Sequence, residues 1–355
     1  MIRQFNGMKK MSNINIFLHI FSSLLTTILL IKVLSYVAKK IDLVDKPNPR
    51  KKHNGNIPLI GGIALFSSLL INGYFFNLLD NESTILIGAG GGIILLGSID
   101  DKFCVNWRVR LIIQILLAMI SIALLDIKVT NIGPSPLRLP SDLDFLSIPI
   151  TILFIVVLIN AFNFIDGIDG LASTLALSSV IGPYIYSENY FSAIDLIFIT
   201  SLLIVTFYNF SDDPKNKIFL GDAGSNFIGF FIAITLLQKS QPNVHNFFPI
   251  QPVEILWIVA IPLLDFYSVI LRRWRKKIPI TSPDRTHIHH IFIRVGFSNK
   301  MAVVIITSVN MALLSIGMVI SSYGSHFSIL AFISAIFLYN YFMKHAWVMA
   351  KYLKS

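Results

Sequence analysis

Cysteine is almost missing from this 355-residue sequence. The one present, Cys104, excludes an intrachain disulfide, and no second Cys or His stands at metal-ligand spacing from it. Charge is nearly as scarce: 14% of residues are Asp, Glu, Lys or Arg and 54% are hydrophobic, whereas soluble domains carry about 25% charged residues. A soluble globular enzyme is thereby excluded. One apolar stretch after another reaches the roughly 20 residues an α-helix needs to cross about 30 Å of hydrocarbon. The runs are continuous rather than alternating, which excludes a β-barrel. The expectation is an all-α, polytopic integral membrane protein forming one membrane-embedded domain over residues 1–355, with no internal repeat, low-complexity linker or soluble domain.

Apolar segments fall near 14–38, 57–79, 84–99, 109–126, 146–162, 171–187, 192–210, 223–238, 252–271, 301–323 and 326–343. They predict about eleven spans, or ten if one of the weakest, 84–99 and 146–162, stays out. The first, Ile14 to Val37, is too long for a signal peptide and lacks a small-x-small cleavage site, so it is read as a span. With the N-terminus outside and the C-terminus cytoplasmic, 22 of the 29 Lys and Arg residues fall on the inner side, the bias of the positive-inside rule. The net charge of +10 is therefore sidedness and not affinity for nucleic acid.

Acidic residues are few, and eleven of the nineteen lie on the inner side or at inner span ends. A carboxylate at the bilayer centre costs about 2.5–3.5 kcal/mol on insertion scales, and adjacent carboxylates raise each other's pKa unless a cation sits between them. A divalent metal or a cluster of basic residues is implied. The chemistry is expected in inner loops 39–57, 100–110, 160–171, 211–225 and 272–300.

In the first of these loops Pro47, Pro49 and Pro58 forbid a continuous helix, Gly61-Gly62 permits close backbone approach, and Arg50, Lys51, Lys52 and His53 are placed to contact phosphates. Its simpler reading is a positive-inside anchor. Asp100-Asp101 closes the third span and is followed by Lys102, Arg108 and Arg110; Gly88, Gly90, Gly91, Gly92 and Gly97 on that span favour close packing that would hold the pair rigidly. More specific is the run Asn160, Asn163, Asp166, Asp169, polar at every third position in an otherwise apolar stretch. If helical, these four side chains descend one slowly drifting face, interrupted by Gly167 and Gly170.

Phe219-Leu-Gly-Asp222-Ala-Gly-Ser-Asn226 stands where a loop enters the eighth span. Asp222 is either an N-cap or, between Gly221 and Gly224, part of a turn that brings backbone amides and a carboxylate to metal and phosphate. An exposed Phe219 would offer a stacking face to a nucleobase. The last inner loop has a basic run from Arg272 to Lys277, read as a headgroup anchor, then Asp284, Arg285, His287, His289 and His290. The oxygen-rich surroundings and the lack of cysteine disfavour zinc and suit Mg²⁺ better, so these histidines are read as phosphate or sugar ligands.

Taken in order on one membrane face, these motifs resemble the polyprenyl-phosphate N-acetylhexosamine-1-phosphate transferase family, glycosyltransferase family 4, through residues 40 to 300, and within it the undecaprenyl-phosphate N-acetylglucosamine branch. The resemblance implies transfer of N-acetylhexosamine 1-phosphate, GlcNAc 1-phosphate above all, from a UDP-sugar to undecaprenyl phosphate. UMP is released, and the step initiates an envelope polysaccharide such as O-antigen. It implies Mg²⁺, with Mn²⁺ as a substitute, held by Asp222 and Asn163. Asp100 and Asp101 would be the catalytic pair near the lipid phosphate. Asp166, Asp169, Gly170 and Phe219 would bind nucleotide, and Arg50, Lys51, His53, Arg110, Arg285, His287, His289 and His290 would bind substrate and phosphate. It also implies a multi-pass protein of the bacterial cytoplasmic membrane with a cytoplasmic active site, surrounded by membrane lipid, and it admits a homodimer.

A sibling using UDP-MurNAc-pentapeptide is disfavoured by His-Ile-His-His in place of three consecutive histidines; one using another UDP-N-acetylhexosamine stays open. A secondary transporter would need midplane charges and an inverted repeat, and the sequence has neither.

Overall fold

The computed structural model describes residues 13–47, 55–134, 141–186, 191–240, 250–279 and 287–352. Helix α1 (Asn13–Lys40) leads into a two-stranded antiparallel ribbon, β1 (Val44–Asp45) and β2 (Ile57–Pro58). Then follow α2 (Gly61–Phe75), α3 (Asn81–Phe103), α4 (Trp107–Leu125), α5 (Ser147–Ile165), α6 (Leu171–Tyr186), α7 (Ala193–Asn209) and α8 (Gly221–Lys239). The chain continues through α9 (Pro252–Ile258), α10 (Ala260–Arg275), α11 (Ile288–Val295), α12 (Asn299–Ser321) and α13 (Ser325–Tyr352). Each of the eleven apolar segments coincides with one helix, the ninth with the pair α9 and α10. Among the described residues the tiny ribbon is the one sheet in an otherwise helical chain, and it lies where three prolines forbade a helix.

Six helices, α1, α3, α4, α5, α12 and α13, are long and apolar enough to cross a membrane, and the α9–α10 pair makes a seventh if its 80° bend is one broken span. Helices α2, α6 and α7 are apolar but shorter. The outer helices turn large apolar side chains outward, among them Phe17 and Phe21 of α1, Leu124 of α4, Val304 of α12 and Leu338 of α13. Such a surface is suited to lipid and not to water.

Helix α8 is the centre. Every residue from Ala223 to Leu237 is buried, as expected of a helix that is apolar on all sides, and α2, α3, α5, α6 and α9 pack around it. Glycine makes that possible. A Cβ on Gly62 of α2 would stand 2.2 Å from Gly224 Cα, one on Gly97 of α3 2.4 Å from Ala223 Cα, and one on Gly229 of α8 2.6 Å from the Leu158 carbonyl of α5. Backbone thus meets backbone on three sides, the close approach that small residues allow between membrane helices. Gly90, Gly91 and Gly92 receive the side chains of Phe227, Phe66 and Leu117, whereas Gly88 faces nothing.

The bend between α9 and α10 leaves backbone groups that no helical partner satisfies. Asn310 of α12, fully buried, fills the gap: its Oδ1 accepts from Ile261 N at 3.0 Å and its Nδ2 donates to Ile258 O at 3.1 Å and to Ser178 Oγ at 3.2 Å. Replacing it by alanine strands a buried N–H and a buried carbonyl, at about 1–3 kcal/mol. Thermal unfolding in detergent is expected to show a lowered midpoint for Asn310→Ala, and an unchanged midpoint would refute this role.

Candidate active site

The site forms where the ends of α3 and α5 meet the starts of α4, α6, α8 and α11. Helix α3 ends in a turn that fixes Asp100. Cys104, in the left-handed conformation at φ 52°, donates its N–H to Asp100 O at 2.9 Å, and Val105 N then reaches Asp100 Oδ1 at 2.7 Å. The other carboxylate oxygen of this buried residue accepts from Arg110 Nη1, and the same guanidinium stands 3.5 Å from Asp222 Oδ2. Arg110 is therefore one cation among the crowded carboxylates, shared between two of them.

Asp101 faces the other way. Its Oδ1 accepts from Asp222 N at 2.8 Å and its Oδ2 from Ala223 N at 3.2 Å. The N-cap position of α8 is Leu220, which offers no capping side chain; Asp101 supplies the cap from another helix, a favourable place for a carboxylate at the positive end of the helix dipole. Asp222 is therefore not itself the N-cap but lies in the first turn, its side chain 39% exposed.

The evenly spaced polar run is not one helix. Asn160 and Asn163 belong to α5, which ends at Ile165, and Asp166 to Gly170 form a turn. Asn163 Nδ2 donates to Asp222 Oδ1 at 2.8 Å and to Ser225 Oγ at 3.0 Å, so as a metal ligand it would have to present its carbonyl instead. Asn160 belongs to a different contact, with Gln114 at 2.8 Å. Asp166 is half-buried; burial, with the charges of Asp222, Asp169 and Asp101, pushes its pKa up to about 8. Asp169 is paired with Lys217 at 2.7 Å. Gly170, at φ 78°, lies so close to the Phe210 ring that a Cβ would stand 2.0 Å from it.

Asn209, which sequence reasoning missed, ties this turn to the next loop: its Oδ1 accepts from Gly170 N at 2.6 Å and its Nδ2 donates to Ile218 O at 2.8 Å. Lys217 was missed as well. It bonds Asp169 and lies 5.8 Å from the Phe219 ring centre. Phe219 is half-buried, not openly exposed, because its backbone is bound on both sides, N to Pro58 O at 2.9 Å and O to Gly61 N at 2.9 Å.

The histidines pack onto this assembly. The His287 ring meets Phe164, the neighbour of Asn163, edge-on at 5.9 Å, and stacks parallel to His289 at 5.6 Å. His289, 1% exposed, presses against the turn so closely that a Cβ on Gly167 would stand 2.2 Å from its Nε2. Burial, with the rings of His290 and His287, pushes its pKa down to about 3, which keeps it neutral. Neither of its ring nitrogens has a partner among the described residues, and Nε2 is the one that faces Gly167 of the Asp166 turn. His290 stands 4.2 Å from His289, ring to ring. Arg50, Lys51, Lys52, His53 and Arg285 lie outside the described residues.

Asp100, Asp101, Asp166, Asp169 and Asp222 thus come together, and among the described residues Arg110 and Lys217 are the cations paired to them. Among the described residues no three of His, Cys, Asp and Glu converge as a metal site. The oxygen donors of Asp222, Asn163 and Ser225 fit Mg²⁺, which keeps waters and is held through one or two carboxylates plus substrate phosphates. An apolar cavity of about 140 Å³, lined by Phe154 and Leu237 among others, lies near the opposite ends of α5 and α8, about 20 Å away along the helices.

Residues 83–240, which carry most of this arrangement, match the model of glycosyl transferase family 4. The undecaprenyl-phosphate α-N-acetylglucosaminyl 1-phosphate transferase of Escherichia coli K12 is 36% identical over 90% of this chain and 88% of its own length. The chain belongs to glycosyl transferase family 4. The enzyme of the same name from Salmonella typhi is 36% identical over 94% of the chain and 92% of its own length. A probable undecaprenyl-phosphate N-acetylglucosaminyl 1-phosphate transferase of Bacillus subtilis is 34% identical over 80% and 79%. Of the acidic residues at this site, Asp101 has the clearest structural task. Asp101→Ala removes the cap of α8 and is expected to cost about 0.5–2 kcal/mol, read as a lower melting temperature; Asp101→Asn, which keeps a carbonyl acceptor, should lose less. Equal melting temperatures for all three proteins would refute the capping role.

Proposed function

We propose that this chain transfers GlcNAc 1-phosphate from UDP-GlcNAc to undecaprenyl phosphate, releasing UMP, as the first step of an envelope polysaccharide. The observation that carries the proposal is the convergence of Asp100, Asp166 and Asp222 with Arg110 at the start of α8, in a chain akin to transferases named for this reaction. In our reading all eleven apolar segments cross the bacterial cytoplasmic membrane, with the N-terminus outside and the site at the cytoplasmic face. The sided Lys and Arg residues support this orientation. It puts the site where a lipid-anchored acceptor and a cytosolic nucleotide sugar can meet.

An oxygen of the acceptor phosphate attacks the β-phosphorus of the donor, and the bond from that phosphorus to the oxygen of UMP breaks. A phosphate monoester has a second pKa near 6 and arrives at pH 7 mostly deprotonated, so no strong base is needed. The geometry agrees: Asp100 is held by Arg110 and Val105 N, and Asp101 by two backbone amides of α8. They orient Arg110 and the helix start and do not stand free to remove a proton. Asp222, with Asn163 once its carbonyl is turned, would hold Mg²⁺, whose charge would offset that building on the transferred phosphoryl group. In this reading Lys217 and the Phe219 face, which lie together, would meet the uridine diphosphate, and neutral His289 would offer hydrogen bonds beside the Asp166 turn.

Purified protein with undecaprenyl phosphate, Mg²⁺ and a panel of UDP-sugars is expected to release UMP most rapidly with UDP-GlcNAc. Absence of turnover with every UDP-N-acetylhexosamine by folded protein refutes the proposal. Asp222→Asn and Asp100→Asn should each lower kcat by at least about a hundredfold, the scale of losing one charge-stabilising group, with expression intact. Near-normal turnover would remove that residue from its role.

A second expectation concerns pH. Asp166 has a raised pKa, so below about 8 it holds a proton that a nearby cation must displace. Mg²⁺ affinity should therefore fall as pH drops from 8 to 6, by at most about tenfold per unit for one proton, and level off above 8. Half-saturating Mg²⁺ that is constant from pH 6 to 9 would contradict this.

A further inference from the structure

Asp265, in the middle of α10, takes no part in the chemistry described so far, yet it is 1% exposed and carries three hydrogen bonds. Its Oδ2 is 2.6 Å from His287 Nδ1, and its Oδ1 accepts from Ile288 N at 3.1 Å and from the Tyr339 hydroxyl of α13 at 2.9 Å. A carboxylate accepts all three, whereas an unpaired carboxylate would be costly at this depth. The consequences reach in two directions. Toward the site, a carboxylate facing Nδ1 fixes which imidazole nitrogen carries the proton, as second-sphere carboxylates do for other functional histidines, and leaves His287 Nε2 as the acceptor. The bond to Ile288 N pins the first residue of α11, the helix that carries His289 against Gly167. Away from the site, Tyr339 couples the arrangement to the last helix, and Ser268 Oγ to Asn340 Oδ1 at 3.4 Å gives α10 and α13 a second tie.

We infer that Asp265 is a positioning residue: braced by Tyr339 of α13, it holds the start of α11 and the orientation of His287, so that the histidine group meets the donor sugar nucleotide. This makes α13, which contributes no side chain to the acidic cluster among the described residues, a working part of donor recognition. The functional half of the inference rests on the proposed reaction; the structural half does not.

The test uses the full chain with three substitutions. Tyr339→Phe keeps the ring and removes only the hydroxyl, Asp265→Asn keeps the size and removes the charge, and Asp265→Glu restores the charge on a longer arm. Hydrogen–deuterium exchange of the peptide containing Ile288 reads the brace without any turnover, and steady-state UMP release reads its use. Exchange at that peptide is expected to rise in Tyr339→Phe and more in Asp265→Asn. KM for UDP-GlcNAc should rise at least fivefold in Asp265→Asn and about two- to threefold in Tyr339→Phe, with KM for undecaprenyl phosphate within twofold of wild type and partial recovery in Asp265→Glu. Wild-type exchange in both weakening variants overturns the brace. Unchanged donor KM, or a parallel loss toward both substrates, overturns the positioning role. Failure of the wild-type protein to release UMP from any UDP-sugar would instead strike the proposed reaction, and the exchange result would still decide the brace.

Discussion

The contact on which the structure depends is the backbone-to-backbone packing around the first two turns of α8. Gly62 and Gly97 let α2 and α3 come against Gly224 and Ala223, and Gly229 lets α8 come against α5. Without a hydrophobic driving force between helices in lipid, close packing and interhelical hydrogen bonds must supply the association. Here they do both at one place. The approach that brings α3 against α8 also carries Asp101 to the open amides of Asp222 and Ala223, and the approach of α5 brings Asn163 to Asp222. The site is assembled by the same contacts that hold the bundle together.

That arrangement accounts for the concentration of charge at an apolar protein's helix ends. A carboxylate there is tolerable because each has a defined partner: Asp100 has Arg110, Asp101 has the helix start and Asp169 has Lys217, while Asp265, inside α10, has His287, Ile288 and Tyr339. Among the described residues Asp166 is the exception: burial, with the charges of Asp222, Asp169 and Asp101, raises its pKa. A divalent ion bound there would offset those charges and would in turn favour the phosphates of a nucleotide sugar.

Much of this was legible in the sequence because hydropathy is written over long windows. Each apolar segment became helical, and the motifs around Asp100, Asp166, Asp222 and His289 lie together. What periodicity could not show was where a helix stops. The three-residue spacing of Asn160, Asn163, Asp166 and Asp169 suggested one face, but the chain turns after Ile165, so Asp166 and Asp169 reach the site from a turn while Asn160 pairs with Gln114. The Asp100-Asp101 pair looked like one unit, yet adjacent positions on a helix point about 100° apart, and the two residues serve different partners. Asn209, Lys217 and Tyr339 left no signal at all: each is a single polar residue whose partner lies far along the chain or in another loop.

The Asn310 plug at the bend between α9 and α10 bears on how the protein is made. The open amide of Ile261 and the carbonyl of Ile258 find their partner 49 and 52 residues later in the chain, on a helix synthesised after the bend. At translation speeds of about 5–20 residues per second, seconds pass between the synthesis of these groups and that of their partner on α12. The bend is therefore completed late in biogenesis, and the helix that completes it lies directly upstream of α13, which braces the histidines.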